Sequence, residues 1–133
     1  MSNIIRWITL FVFLSGLTGC LAASNKAVRF TCNQTIKPDD FKRGVTAIAK
    51  AHQFDSAPTP SDGSLWFYSK IKSAPRLYAE MNTLPPAGFI LGITIIRGPG
   101  TEDKLPVEVL DVFNSIVDEV SKSYENSCHL EHR

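Results

Sequence analysis

The chain has 133 residues, with 14 basic and 13 acidic side chains and a formal charge of +1. That balance gives no nucleic-acid footprint, which would concentrate Lys and Arg. The length fits one domain with a real core, and there are no repeats or low-complexity tracts.

The chain opens "MSNIIR", "WITLFVFL", "SGLTGC". Arg6 precedes a short apolar core, Trp7 to Leu14, and no acidic residue occurs before Asp39. This is the pattern of a secretory signal. The apolar core is well short of the ~20 residues that a bilayer-spanning helix needs.

The segment then closes on Leu17-Thr18-Gly19-Cys20. Over Met1 to Cys20 it resembles the leader of bacterial prolipoproteins, and its last four residues resemble their lipobox. The resemblance implies that the Cys20 thiol receives a diacylglyceryl group. It also implies cleavage between Gly19 and Cys20, and acylation of the new amino terminus by a fatty acid such as palmitate. A thiolate is the right nucleophile for that transfer, and two or three acyl chains hold a protein on a membrane. By resemblance to Gram-negative lipoproteins, Leu21 in place of Asp after the cysteine favours the outer membrane, with the domain facing the periplasm. The expected organisation is a signal peptide over 1–19, a lipidated tether over 20–26 and one globular domain over 27–133. The tether, six residues after Cys20, reaches about 20 Å. Loss of Arg6 with the leader brings the formal charge to zero.

With Cys20 lipidated, Cys32 and Cys128 remain as a pair in an oxidising compartment. An internal disulfide is the expectation, the alternatives being free thiols or a bond to a partner.

"AVRFTC" (27–32) alternates as a strand does. Residues 37–54 read as a helix: Pro38, Asp39 and Asp40 suit its first turn, and Phe41, Val45, Ile48 and His52 form one stripe. Residues 55–63 are rich in turn formers and read as a loop. Three strands follow over 64–71, 76–81 and 88–97, with connections short enough for antiparallel hairpins. Residues 98–103 turn into a second helix over about 104–125, capped by Thr101 or Asp103, with Pro106 in its first turn. "NSCHLEHR" ends the chain as a terminal segment.

The expected fold is α+β: a three- to four-stranded, mainly antiparallel sheet with two helices on one face, in the order β-α-β-β-β-α, and one disulfide. Alternate strand residues face opposite ways. Leu65, Phe67, Ile71, Leu77, Ala79, Met81, Phe89, Leu91, Ile93 and Ile95 form an apolar floor for the helices. The other face carries Trp66, Tyr68, Lys70, Arg76, Tyr78, Glu80, Ile90, Gly92, Thr94 and Ile96. Exposed sheet faces commonly hold such aromatic and β-branched pairs for stability alone. The alternative is a partner site, since Trp, Tyr and Arg dominate binding energetics and apolar patches rimmed by charge mark interfaces. Its residues would be Trp66, Tyr68, Lys70, Arg76, Tyr78, Ile90 and Ile96.

Catalytic and metal signatures are weak. There is no G-x-S-x-G and no H-E-x-x-H. His52, near the end of the first helix, reads as structural. Cys128, His129, Glu131 and His132 hold zinc-type ligands, but Cys128 already has an expected partner. "RGPGTED" lacks the Lys-Ser/Thr of a phosphate loop. No cofactor or metal is expected. The reading is a non-catalytic, membrane-anchored envelope lipoprotein that binds a protein partner, as an accessory component of a secretion or assembly machine. The alternatives are a periplasmic immunity protein against a toxin, a cell-wall or lipid-acting enzyme, and a small-ligand sensor.

Overall fold

The computed structural model describes residues 22–58, 63–70, 74–82, 86–97 and 104–132, without the side chains of residues 22, 23, 96, 97 and 132. Cys20, Ile71, Thr101 and Asp103 lie outside these residues. The elements are β1 (Ala22–Cys32), α1 (Pro38–Ala51), β2 (Phe54–Ser56), β3 (Leu65–Ser69), β4 (Arg76–Asn82), β5 (Gly88–Arg97), α2 (Val107–Ser123) and β6 (Cys128–His132). The strands form one antiparallel sheet in the order β2-β3-β4-β5-β1-β6. The protein is therefore α+β with two helices and one disulfide, but the sheet has six strands rather than three or four.

The central hairpins follow from alternation. Phe67 pairs with Leu77, Leu77 with Ile93 and Ala79 with Leu91, and all are buried. β1 extends this floor, since Val28 pairs with Leu91 and Phe30 with Phe89. Phe41, Val45 and Ala49 of α1 and Val109, Phe113, Ile116, Val117 and Val120 of α2 are buried in the same core. Both helices thus cover one face of the sheet. Phe41 packs on Tyr124 near the end of α2, while His52, just past the end of α1, reaches Glu119. The helices consequently run antiparallel.

Three departures from the sequence reading share one cause. β2 takes residues expected in a helix end and a loop. Gln53, at φ 67°, reverses the chain, and Phe54 then buries fully against the core while its backbone pairs with Ser69. β1 begins at Ala22, so most of the expected tether is strand: Ala22 to Lys26 pair with Arg97 to Ile93. The terminal "CHLEH" is β6, paired with β1 from Arg29 to Cys32. In each case an existing strand offers unpaired backbone groups, and satisfying them outweighs a weak local preference. The helices are also shorter than expected. Pro106 is the N-cap residue of α2 rather than a member of its first turn, and neither helix has a side-chain cap.

The disulfide joins Cys32 to Cys128 across β1 and β6, with Cα atoms 3.9 Å apart. The Cys32 N–H donates to Ala87 and the Cys128 N–H to Tyr124, so the two cysteines form a narrow pair without mutual backbone bonds. Beside them lies an aromatic cluster. Phe30 stacks on Phe89 at 4.5 Å, Phe41 tilts against Phe89 at 4.9 Å, and Tyr124 meets Phe89 edge-on at 5.6 Å. Burial, and then the nearby Asp40 carboxylate, push the Tyr124 hydroxyl above the usual phenol pKa. No helix among the described residues is long and apolar enough to cross a membrane.

Candidate functional site

The face of the sheet away from the helices carries the residues singled out in the sequence. Tyr78 of β4 is the centre. It pairs with Trp66 of β3 on one side and with Gly92 of β5 on the other. The Trp66 and Tyr78 rings stand 5.1 Å apart at 30°, within the range where aromatic pairs attract beyond simple burial. A Cβ on Gly92 would overlap the Tyr78 ring. The ring therefore lies across β5, and its hydroxyl donates to Asn25 Oδ1 on β1 at 3.2 Å. The Trp66 indole N–H donates to Ser64 Oγ at 2.9 Å. Both rings are half-buried and anchored at their polar tips, which makes this part of the face rigid.

The rim is charged. Tyr68, 47% exposed, pairs with Arg76. Lys70 lies 3.6 Å from Asp55 of β2. Glu80, Ile90 and Arg29 form one row across β4, β5 and β1. The side chain of Ile96 lies outside the described residues. Trp66, Tyr68, Arg76, Tyr78 and Ile90 thus share one surface, with Lys70 at its margin. Asn25, Arg29 and Asp55 belong to the same surface and were not picked out from the sequence: β2 and the first residues of β1 carry no strong strand signal of their own, and Arg29, although in an expected strand, reaches this surface only through the pairing of β1 with β5.

Hollows lined by described residues adjoin this surface. A shallow one of about 300 Å³ is lined by Asn25, Ser64, Trp66, Tyr78, Glu80 and Thr94. A larger cleft of about 790 Å³ lies at the far end of the sheet, where Arg29, Lys42, Asp39, Glu80 and Glu131 bring both signs of charge together. Thr31 donates there to Glu131 across β1 and β6.

His52 and His129 have defined places in the fold. His52 is half-buried, with Nε2 2.9 Å from Glu119 Oε1, so it ties the two helices together. His129 lies in edge strand β6, paired with Thr31. Among the described residues, no three His, Cys, Asp or Glu side chains converge as a metal site would require. Every buried side-chain nitrogen and oxygen among them has a hydrogen-bond partner.

No known protein family matches the chain, and no curated protein is similar to it.

Proposed function

We propose that the protein is a lipid-anchored envelope lipoprotein that binds a protein partner without catalysis, through the sheet face centred on Trp66 and Tyr78. The observation that carries this reading is the Trp66–Tyr78 pair. Two large amphipathic rings stand together on a face that neither helix covers, fixed by Ser64 and Asn25 and rimmed by Arg76 and Lys70. Such a surface loses little side-chain freedom on binding, and its residue types are those that concentrate binding energy. The anchor rests on the resemblance of Leu17-Thr18-Gly19-Cys20 to a lipobox. The outer membrane, facing the periplasm, is the location that resemblance favours. Within this reading the protein serves as an accessory component of an envelope assembly or secretion machine.

The test is crosslinking in the native host followed by mass spectrometry, repeated with Trp66→Ala combined with Tyr78→Ala. Loss of the dominant crosslinked partner in the double variant, with its thermal unfolding still cooperative, supports the proposal. An unchanged set of partners defeats the assignment of this face.

The larger cleft favours a second reading, a small-ligand sensor. Its volume lies within the usual range of ligand sites, and polar groups of both signs line it. Arg29→Ala would then abolish ligand-induced thermal stabilisation while leaving protein crosslinks intact.

A further inference from the structure

We infer that the end of the sheet where Ala22 pairs with Arg97 lies against the phospholipid headgroups, so that the strands stand on the membrane. This rests on the lipidation of Cys20 proposed above. Ala22 is already in β1, two positions after Cys20. Two residues span at most about 7 Å. A tether that short holds the first row of β1 at the bilayer surface. The other end of β1, near Cys32, is ten residues further along and about 33 Å away. The aromatic cluster, the disulfide and the larger cleft all lie at that far end, away from the lipid when the strands stand upright.

The side chains at the near end suit a phosphate-bearing surface. Lys70 follows β3 and Arg76 begins β4, both within a few rows of Ala22. The carboxyl end of α2 sits at the far end, because Tyr124 packs on Phe89 and the chain then turns to Cys128 beside Cys32. The amino end of α2 therefore points toward the lipid-bearing end. It brings Lys104 and the apolar Val107, 72% exposed, to that surface. Acidic groups are also present at this end: Asp55 lies 3.6 Å from the exposed Lys70, Glu108 sits in the first turn of α2, and Glu102 and Asp103 directly precede Lys104 in the sequence. Long basic side chains can extend to lipid phosphates while an exposed valine meets the acyl boundary. In this orientation the Trp66–Tyr78 pair stands five residues up β1 from Ala22, about 17 Å above the headgroups. A partner would approach it along the membrane plane, and the cleft would open away from the bilayer.

The test is lysine footprinting of the full-length processed protein. A membrane-impermeant acylating reagent is applied in detergent, then in vesicles of phosphatidylethanolamine and phosphatidylglycerol. Lys70 and Lys104 are expected to lose reactivity several-fold in vesicles, while Lys37, Lys42 and Lys122 stay unchanged. The mass of the Cys20 peptide from the same digest reports acylation. With acyl chains present, uniform labelling or protection of Lys37 and Lys42 overturns the orientation and leaves the anchor standing. A Cys20 peptide without acyl chains overturns both.

Discussion

The ring of Tyr78 occupies the space that a side chain on Gly92 would need, one strand away. Glycine weakens a strand by leaving a gap in its surface, and here a cross-strand aromatic closes the gap. The same placement lets the Tyr78 hydroxyl reach Asn25 on the next strand. One small residue thus allows one large residue to tie β4, β5 and β1 together on the face away from the helices.

Gly92→Ala should therefore destabilise the fold despite the better strand propensity of alanine. The Tyr78 ring must swing away, losing its bond to Asn25 and its contact with Trp66. The expected cost is about 1–3 kcal/mol, measured by chemical denaturation. In a Tyr78→Ala background the same substitution should cost far less, because the overlap is gone. Equal costs in both backgrounds would show that the two residues do not interact.

Gly44 makes the matching relationship between the helices. A Cβ there would stand 2.5 Å from the Tyr124 hydroxyl but at an ordinary 3.6 Å from the ring carbon that bears it. Gly44→Ala alone should lower stability or leave it flat, because the clash offsets the helix propensity gained. With Tyr124→Phe, which removes only the hydroxyl, Gly44→Ala should stabilise by about 1 kcal/mol. A thermal denaturation series of the four proteins decides it.

Tyr124 also predicts a pH dependence. Its folded pKa is raised by burial and by Asp40, so the neutral phenol is favoured in the native state. The stability it contributes is complete below the ordinary phenol pKa of about 10 and is lost as pH rises through the higher folded value. The Tm should fall at alkaline pH, and Tyr124→Phe should reduce that fall while keeping the ring contacts with Phe41 and Phe89. Parallel pH profiles for the two proteins would rule the contribution out.

Reduction of the Cys32–Cys128 bridge should cost stability and should act first on β6. The bridge closes a separation of 96 residues, for which chain entropy alone gives roughly 4.7 kcal/mol at about 100 residues. β6 is an edge strand paired only with the Arg29–Cys32 part of β1. After reduction, amides 128–132 should lose hydrogen-exchange protection before those of β4 and β5. Two titratable thiols in the untreated, purified protein would contradict the bridge outright.

Cys20→Ser should release the protein from the membrane fraction. The acyl chains, at about 0.8 kcal/mol per buried methylene, are the proposed source of that association. A variant that stays in the membrane pellet after salt and carbonate washes would defeat the lipid anchor.

The sequence by itself determined the two helix stripes, the three central strands and the division of those strands into an apolar and an aromatic-polar face. Each of these is a local periodicity: Leu77 and Ala79 or Tyr78 and Glu80 take their sides from a period of two, whatever surrounds them. The pairing of Cys32 with Cys128 was legible too, once Cys20 was set aside. Only the tertiary structure decided the outer parts of the sheet. Phe54–Ser56 and the first residues of β1 carry too little alternation to be strands alone, and "CHLEH" reads equally well as a tail. They become strands because β3, β5 and β1 present backbone groups that need partners. The same pairing brought Asn25, Arg29 and Asp55 to the Trp66–Tyr78 surface and drew most of the expected tether into β1, because hydrogen bonding between strands depends on which chains lie side by side, and that is a property of the fold.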